Sequence, residues 1–302
     1  MTLEELITAI QERKNCQRIV VAHATHISLF YAAKKAIELK LADFIFVGPK
    51  EIMSELKTEA GLSQTTDKVF RLLEAQDEQE SSRIAVEMVA KGEGDVLMKG
   101  MVSTSLLLKA VLNKEFGLRS GNVLSHLAGF SIPNKENMIF LTDAAMNISP
   151  NLQEKVQIVQ NAVEAVRKIG INKPKVAVIA AVETVNPAME ATIDAASLTV
   201  MNKRNQIKNC VIDGPLGFDN AVSLEAAEQK GIRSEVAGQA DIIVAPSIDV
   251  GNVLYKSLTI FGNATVGGMI VGARSPIVLT SRADSVESKV FSMAMAVSTS
   301  LK

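Results

Sequence analysis

The stretch that decides the fold is Val96-Leu97-Met98-Lys99-Gly100-Met101-Val102-Ser103-Thr104-Ser105-Leu106-Leu107-Leu108-Lys109-Ala110-Val111-Leu112. It begins as a short apolar run, passes through a loop containing glycine, and continues with apolar residues at helical spacing. The stretch therefore predicts a buried strand over Val96 to Met98, a loop over Lys99 to Ser105 and a helix over Leu106 to Leu112. A strand that leads through a short loop into a helix is half of a βαβ unit.

The same alternation extends in both directions along the chain. Short apolar runs predict further strands at Ile19–Ala22, Phe44–Val47, Ile139–Thr142, Val176–Ala180, Cys210–Ile212, Ile242–Ala245 and Ile277–Thr280. Apolar residues at helical spacing predict helices around Ile27–Leu39, Ser82–Ala90, Leu152–Arg167, Ala221–Gln229, Gly251–Phe261 and Ser285–Ser298. The alternation predicts an α/β protein with mostly parallel sheets, in which ligands bind at the carboxyl ends of the strands.

Composition limits the class of function. The chain has 302 residues, and at about 150 residues per domain this length predicts two domains with a cleft. Lys plus Arg is 32 and Asp plus Glu is 33, so the net charge of -1 gives no overall field for a polyanion, and we expect no nucleic-acid partner. A hydrophobic content of 47% with 22% charged residues is typical of a folded globular protein.

The chain also lacks the patterns of exported and membrane proteins. Its first residues carry Glu4, Glu5 and Glu12 rather than a basic segment followed by an apolar one. Every apolar run is far shorter than the ~20 residues of a spanning helix, so we expect no membrane partner. The two cysteines, Cys16 and Cys210, show no disulfide or metal spacing, which favours reduced thiols in the cytoplasm.

Common cofactor motifs are missing from the strand ends. No Gly-x-Gly-x-x-Gly follows the first strand and no Gly-Lys-Ser/Thr loop is present, so the sequence supports neither a dinucleotide nor a nucleoside triphosphate site. His23 and His26 lie three residues apart without a carboxylate-histidine or cysteine-rich pattern beside them. We therefore expect these histidines to be structural and the protein to have no metal site.

The loop from Lys99 to Ser105 is the first candidate site. Gly100 permits a close approach of backbone to ligand, and Ser103 and Thr104 open a helix whose N-terminus favours anions. This pattern predicts a phosphate-binding loop. The alternative is a capped helix beside an exposed lysine.

The second candidate site opens the last helix, where Ser281, Arg282 and Asp284 follow a predicted strand. The serine offers a hydrogen-bond donor, the arginine a planar fork suited to phosphate or carboxylate, and the aspartate a base or a helix cap. The alternative is that Asp284 or Ser285 only caps the helix while Arg282 is solvated.

Other segments carry weaker signals. Gly251 and Asn252 can bring a backbone and an amide against a ligand, although Asp249 is also an ordinary helix cap. The loop Asp213-Gly214-Pro215-Leu216-Gly217-Phe218-Asp219 fits a tight turn as well as it fits a site. By residue type alone, Arg119 and Arg274 are solvated surface cations.

Taken together in their order, these segments resemble the phosphate acetyltransferase/phosphate butyryltransferase family over nearly the entire chain. The resemblance is carried by Leu97-Met98-Lys99-Gly100, Asp213 to Asp219, Asp249-Val250-Gly251-Asn252 with Tyr255-Lys256, and Ser281-Arg282. Within the family the chain looks most like the butyryl-transferring members, because it is compact and Ala283-Asp284 follows Ser281-Arg282 where acetyltransferases more often have glycine.

The resemblance implies two α/β domains of the isocitrate/isopropylmalate dehydrogenase-like type, an interdomain cleft and a homodimer. In that fold the C-terminal segment returns to the first domain. We therefore expect a discontinuous first domain of residues 1–133 plus 275–302, and a second domain of residues 134–274.

The implied reaction is the reversible transfer of a short acyl group, butanoyl in first place, between coenzyme A and inorganic phosphate in a ternary complex. Coenzyme A is a substrate, and the reaction needs no metal or nicotinamide. The resemblance assigns oxyanion and phosphate stabilisation to Ser281 and Arg282. Acetyltransferases have a carboxylate seven residues after that serine, where this chain has Ser288, so Asp284, or else Glu287, is expected to act as the base.

The remaining residues that the resemblance assigns to substrate binding are Lys99, Gly100, Ser103, Thr104, Arg119, Asn252 and Lys256. Three alternatives stay open: a preference for acetyl, a metal- and NAD-dependent dehydrogenase on the same fold, and a non-catalytic acyl-CoA-binding protein. The dehydrogenase would need clustered aspartates for its metal, whereas Asp241 and Asp249 are isolated in the sequence.

Overall fold

A computed structural model of the chain describes residues 1–13, 15–280 and 284–300. The chain divides into two compact units. We call Leu3–Asn122 with Gly267–Lys302 the terminal unit, and Met1–Thr2 with Val123–Val266 the central unit. The domain boundaries expected from the sequence, at 133/134 and 274/275, lie slightly later in the chain than the ends of these units.

The terminal unit has strands in the order β3-β2-β1-β4-β11-β10, which pair in parallel except for antiparallel β10 and β11. The strands are β1 Gln17–Ala22, β2 Ala42–Gly48, β3 Phe70–Glu74, β4 Val96–Lys99, β10 Thr265–Val271 and β11 Ile277–Val278. The helices are α1 Leu3–Gln11, α2 Ile27–Glu38, α3 Lys50–Glu59, α4 Glu78–Ala90, α5 Thr104–Val111 and α11 Val286–Thr299.

The central unit has strands in the order β5-β6-β9-β7-β8, and only the pair β5 and β6 is antiparallel. The strands are β5 Ser125–Ser131, β6 Ile139–Thr142, β7 Lys175–Ile179, β8 Val211–Leu216 and β9 Ile242–Val244. The helices are α6 Leu152–Ile169, α7 Glu190–Lys203, α8 Phe218–Val222, α9 Leu224–Gln229 and α10 Ile248–Ile260. The expected α/β class with mostly parallel sheets is confirmed.

Apolar strands buried on both faces hold each unit together. In the terminal unit, Phe30 of α2 packs edge-on against Phe46 of β2 with ring centroids 4.7 Å apart, and both side chains are fully buried. In the central unit, Val176, Ala177, Ile242 and Ile243 belong to strands β7 and β9 and are buried. Burial on both faces is why these strands read as continuous apolar runs.

Two of the elements that sequence patterns missed, β5 and α7, have mixed composition. Strand β5 has the sequence Ser-His-Leu-Ala-Gly-Phe-Ser and is buried almost throughout. Its polar residues interrupt the apolar run by which a buried strand is predicted. Helix α7 has no clear apolar stripe because Thr192 and Asp194 lie on its buried side. The single helix predicted over Ala221–Gln229 is wrong, because the chain breaks at Ser223, which ends α8 and caps α9.

No helix within the described residues combines the length and the apolar character that crossing a bilayer requires.

Candidate active site

The loop after β4 is built as a tight backbone crossing at the carboxyl end of the terminal sheet. The backbone N–H of Gly100 donates to Ala22 O at 2.9 Å, and that of Met101 donates to His23 O at 2.9 Å. A Cβ at position 100 would lie 2.4 Å from Ala22 O, so only glycine fits. This loop therefore passes directly across the end of β1.

The residues that open α5 act first as a helix cap. Ser103 is the N-cap, and its hydroxyl accepts a hydrogen bond from the backbone N–H of Leu106 at 3.2 Å. Thr104 is the first residue of the helix and is exposed. The capping alternative for this loop is therefore present, and Ser103 and Thr104 are both exposed.

The lysine of this loop is not the exposed side chain that the capping alternative supposed. Lys99 is 9% exposed, and its Nζ donates to Val102 O at 3.1 Å and to Gly100 O at 3.4 Å. The ammonium of Lys99 therefore lies against the backbone of the loop that this lysine begins. It brings a positive charge beneath the backbone that the sequence predicted to bind phosphate.

Strand β11, which precedes the second candidate segment in the sequence, pairs in parallel with β4. Met98 is opposite Val278 in this parallel pair, so both chains leave the sheet side by side. Ser281 and Arg282, the predicted oxyanion and phosphate residues, lie outside the described residues. The description resumes at Asp284, which is half-buried.

The start of α11 is capped by the residue after Asp284. Ser285 is the N-cap, and its hydroxyl accepts from the backbone N–H of Ser288 at 3.1 Å. Glu287 is exposed in the first turn, whereas Lys289 is buried and donates from Nζ to the backbone oxygen of Asp284. Of the two candidate bases, Asp284 lies nearer in sequence to the predicted serine-arginine pair, and Glu287 faces solvent.

Arg119 is an exposed side chain on a firmly anchored segment. Its neighbour Leu118 accepts a backbone hydrogen bond from Arg274 at 2.9 Å, and the Arg274 guanidinium donates to Gly117 O. Arg274 is exposed, as expected from its residue type, and these two hydrogen bonds also anchor the segment before Arg119.

Both histidines of the sequence pair make local hydrogen bonds. His26 is the N-cap of α2, and its ring accepts from the backbone N–H of Ser28 at 3.2 Å. The His23 ring lies 3.2 Å from the Ser81 hydroxyl, and burial lowers the pKa of His23 despite the opposing charges of Glu78 and Asp77.

In the central unit, the turn after β6 is organised by a buried carboxylate. Asp143 is 4% exposed; its Oδ1 accepts from the backbone N–H groups of Ala145 and Met146, each at 2.9 Å. Its Oδ2 accepts from the Asn147 amide at 2.6 Å. These three hydrogen bonds hold the charge of Asp143 at the carboxyl end of the central sheet.

Helix α10 packs tightly onto this turn through the predicted Gly251-Asn252 pair. A Cβ on Gly251 would lie 2.3 Å from Asp143 O, which explains the glycine. The amide of Asn252 donates to Ala144 O at 3.3 Å. Lys256 is exposed one turn further along, so it lies on the same face of α10 as Asn252.

A buried histidine lies beside the same carboxylate. His126 of β5 is 6% exposed, and its Nδ1 is buried without a hydrogen bond to any described residue. Burial lowers the pKa of His126 and outweighs the opposing charge of Asp143. The ring centroid lies 6.1 Å from that of Tyr255, which in turn packs edge-on against Phe130 at 5.5 Å.

The loop Asp213 to Asp219 is fixed mainly by its own contacts. Asp213 Oδ1 accepts from the backbone N–H of Gly214 at 2.9 Å, and a Cβ on Gly214 would lie 2.7 Å from Val178 O. Asp219 lies 3.4 Å from Lys230, whose main partner is Glu183 at 2.6 Å. These contacts support the turn interpretation of the loop.

Sequence reasoning missed His126, Asp143 and Lys289. His126 escaped because β5 was not predicted. Asp143 had a readable signal, since it follows the predicted strand Ile139–Thr142 directly, as a ligand-binding residue of a parallel sheet would. Lys289 was hidden in an apolar helix, where a lone lysine looks like a solvated residue.

Within the described residues, no three His, Cys, Asp or Glu side chains come together as metal ligands would. The two cysteines are free thiols, Cys16 exposed and Cys210 buried, and burial is the main cause that raises the pKa of each to about 11.

Known proteins resemble this chain along most of its length. A family described as "Phosphate acetyl/butaryl transferase" matches residues 62–297. A probable phosphate butyryltransferase of Bacillus subtilis is 50% identical over 297 residues, which cover 98% of this chain and 97% of that protein.

Two solved structures extend the comparison to the fold. A branched-chain phosphotransacylase from Enterococcus faecalis superposes with a TM-score of 0.83 at 36% identity, covering 94% of this chain and 99% of that one. A 4-hydroxythreonine-4-phosphate dehydrogenase from Klebsiella pneumoniae superposes with a TM-score of 0.57 at 12% identity, covering 94% of this chain and 100% of that one. The latter confirms the dehydrogenase-like fold and, at that identity, nothing further.

Proposed function

This chain belongs to the phosphate acetyl/butyryl transferase family, and from that premise we propose which acyl group it transfers and which residues carry the reaction. The enzyme transfers an acyl group between coenzyme A and inorganic phosphate. The observation that carries this conclusion is the 50% identity, along nearly the full length of both chains, to a probable phosphate butyryltransferase.

The proposed acyl group is a short chain, with butanoyl preferred. The relative of highest identity quoted above is named for butyryl transfer, and a structural relative at 36% identity is named for branched-chain acyl groups. Acetyl is the alternative, because the family description includes both acetyl and butyryl transfer. One methylene is worth only about 1–3 kcal/mol of discrimination, so we expect neighbouring chain lengths to overlap.

The experiment is a coenzyme A release assay with inorganic phosphate and a series of acyl-CoA substrates: acetyl, propanoyl, butanoyl, 2-methylpropanoyl and hexanoyl. The expected result is the highest kcat/KM with butanoyl-CoA and a lower value with acetyl-CoA. A maximum at acetyl-CoA would replace butanoyl by the alternative. Failure of orthophosphate to accept any of these acyl groups would contradict the function itself.

The proposed mechanism is direct attack in a ternary complex. In one direction the sulfur of coenzyme A loses its proton to a base and attacks the carbonyl carbon of the acyl phosphate; the carbon–oxygen bond then breaks and phosphate leaves. In the other direction a phosphate oxygen attacks the thioester and the thiolate leaves, regaining the proton. A thiol with a pKa of about 8.5 is mostly protonated at neutral pH, so the base is needed.

Ser281 and Arg282 are proposed to stabilise the oxyanion and the phosphate, as in the family pattern. Asp284, or else Glu287, is proposed as the base. The pairing of β4 with β11 supports this assignment, because the Lys99 loop follows β4 in sequence and Ser281 follows β11 three residues after its end.

The other proposed substrate contacts fall into two groups. In the terminal unit, phosphate or pyrophosphate contacts are assigned to Lys99, Gly100, Ser103, Thr104 and Arg119. The buried ammonium of Lys99 supports this group, because it places positive charge in the loop. In the central unit, Asn252 and Lys256 are assigned to substrate binding, and their position on α10 beside Asp143 supports the assignment.

The reaction is proposed to need no metal or nicotinamide. Neither thiolate attack nor departure of phosphate changes an oxidation state, so coenzyme A enters as a substrate and no electron carrier is required. Dialysis against a chelator is expected to leave turnover unchanged. A loss of turnover that added Mg²⁺ restores would contradict this part of the proposal.

A homodimer is proposed as the working state. Helix α10 presents Val253, Ile260 and, at its C-cap, Phe261 to solvent with exposed fractions of 66%, 64% and 86%. Val253 and Ile260 are seven residues apart and so share one helix face, and such apolar patches mark interaction surfaces. A second copy of this chain is the occupant that the family resemblance implies.

The cytoplasm is the proposed location, since the two cysteines are free thiols and the substrates are coenzyme A derivatives. Cell fractionation with an antibody against the chain tests this location, and recovery with the membrane or extracellular fraction would contradict it.

A further inference from the structure

Lys289 is a buried lysine near the start of α11, in the terminal unit. Its residue is only 2% exposed, and neither the sequence patterns nor the family resemblance assigned it to the site. Helical side chains tilt toward the N-terminus of their helix. The ammonium accordingly reaches back past Ser285, and Nζ donates a hydrogen bond to the backbone oxygen of Asp284.

Within the part of the chain that the structure describes, this ammonium has few hydrogen-bond partners. An ammonium has three N–H donors, and among the described residues the bond to Asp284 O is its one hydrogen bond. No ion pair to Lys289 occurs in that part of the chain. Burial lowers the pKa of Lys289 against the opposing charge of Asp284, which shows that desolvation is the stronger effect.

Lys155, a buried lysine of the central unit, shows how the same chain treats a structural ammonium. Its Nζ lies 2.6 Å from Asp194 Oδ2, and both side chains are less than 10% exposed. Burying an unpaired charge costs several kcal/mol, so a carboxylate partner is the usual solution. Lys155 has that partner, whereas Lys289 has a backbone carbonyl in its place.

Within the described residues, the carboxylate of Asp284 is the charge that acts on Lys289, while a second lysine ends a strand beside β11. Lys99 ends β4, which runs in parallel beside β11, the strand that precedes α11 in the chain. The ammonium of Lys99 is also held by backbone carbonyls, those of Gly100 and Val102. The N-terminus of α11 contributes the positive end of its helix dipole at the same edge of the sheet.

We propose that Lys289 is a further substrate-binding cation, and that the phosphoryl group of the substrate is the anion that neutralises it. This inference rests on the proposed phosphate site at the same sheet edge. Inorganic phosphate fills the position in one direction of the reaction and acyl phosphate in the other. In this proposal two buried ammonium groups and a helix N-terminus face two to three negative oxygens, and Lys289 N–H groups that have no acceptor among the described residues gain one.

The test measures binding of inorganic phosphate through the melting temperature, for wild type, Lys289→Met and the control Lys35→Met. Lys35 is an exposed lysine of α2, the helix that packs beside α11. Its replacement by methionine changes the net charge of the chain by the same amount as Lys289→Met. A ligand that binds only the folded state raises the melting temperature with concentration. Lys289→Met is expected to lose most of the phosphate-induced rise, and Lys35→Met to keep it.

A structural role gives a different result. If Lys289 only tethers the Asp284 carbonyl, Lys289→Met should melt lower without phosphate and still show the full wild-type rise when phosphate is added. That outcome overturns the proposal. The proposal expects Lys289→Met to melt near wild type or above it without phosphate, because replacing a buried charge by an apolar group is often neutral or stabilising.

Steady-state kinetics give the second measurement. Lys289→Met is expected to raise KM for phosphate about tenfold, or ~1.4 kcal/mol, while KM for acyl-CoA changes less than about twofold. Equal changes in both KM values would overturn the assignment to the phosphoryl group. If wild type forms no acyl phosphate, the proposed function fails. If wild type is active and Lys289→Met has the same KM for phosphate as wild type, the inference about Lys289 fails.

A second pair of variants decides the matter if Lys289→Met does not fold. Lys289→Gln and Lys289→Arg both keep an N–H donor for Asp284 O, and only the arginine keeps the charge. A large phosphate-induced rise in Lys289→Arg with a small one in Lys289→Gln supports the proposal. Equal rises in the two variants overturn it.

Discussion

A single imidazole, His126, links the stability of the central unit to pH. Burial keeps the pKa of this side chain below the ~6.5 of an unfolded histidine, even though Asp143 lies beside it. Below about pH 6.5 the unfolded chain binds a proton that the folded chain refuses, so the free energy of unfolding falls as pH falls. Above that pH both states are neutral, and His126 contributes no pH dependence.

We expect the melting temperature of wild type to fall when pH is lowered from about 7 to about 5. The melting temperature of His126→Gln should fall less over the same range. His23, whose pKa burial also lowers, adds a part of the slope that the variant keeps. The measurement is a series of thermal melts across this window. Parallel curves for the two proteins would show that His126 titrates alike in the folded and unfolded states.

Arg282 is the residue on which the proposed chemistry depends most. Loss of one oxyanion donor typically costs about 3–4 kcal/mol of transition-state stabilisation, so Arg282→Ala is expected to lower kcat by a hundredfold or more. The variant should keep the wild-type circular dichroism spectrum. Arg204→Ala, at the exposed C-cap of α7, is the matched control and should turn over at the wild-type rate. Near wild-type turnover by Arg282→Ala would remove this arginine from the chemistry.

At the scale of elements, α10 depends on one glycine for its position. A Cβ at residue 251 would lie 2.3 Å from Asp143 O and 3.0 Å from the Cα of Ala144, so the helix must move. Gly251→Ala is expected to cost about 1–3 kcal/mol, as overpacking does, and so to lower the melting temperature by several degrees. Because Asn252 and Lys256 move with the helix, KM for acyl-CoA should rise as well.

The control for that change is Ser257→Ala on the same helix, whose effect on stability should stay within about 0.5 kcal/mol. Both variants are compared by thermal melts and by KM. If Gly251→Ala melts like the control, the close contact between α10 and the Asp143 turn relaxes without cost, and the packing argument for the glycine is wrong.

The elements also show why part of the site could be predicted from sequence and part could not. The strand Val96–Lys99 and the helix after it could be predicted because a continuous apolar run changes there to helical spacing. Gly100 and Ser103 mark the loop between the two elements. The burial of Lys99 and Lys289 was not readable. Each depends on a bond to a backbone carbonyl close along the chain, and such bonds leave no pattern in residue type.

At the scale of the whole molecule, the alternation of strands and helices was predictable because buried parallel strands must be apolar on both faces. Strand β5 was missed since Ser125 and His126 are buried there through partners far along the chain. Ser125 accepts a bond from the Asn161 amide of α6 at 3.1 Å, and the His126 carbonyl accepts one from Thr142 at 2.8 Å. Buried polar residues of this kind look like a loop in the sequence, although the ring Nδ1 of His126 has no hydrogen bond to a described residue.

The proposed homodimer can be tested at the exposed apolar residues of α10. Two chains of 32.4 kDa are expected to associate through the exposed apolar residues of α10. Placing two like charges on that face, with the double variant Val253→Glu and Ile260→Glu, should separate the chains because each carboxylate would be buried without a partner. Light scattering after size exclusion should give twice the single-chain mass for wild type and the single-chain mass for the variant. Leu112→Glu, at an exposed apolar residue of the terminal unit, is the control and should keep the wild-type mass. A wild type at single-chain mass would refute the dimer, and a double variant at twice that mass would place the interface away from α10.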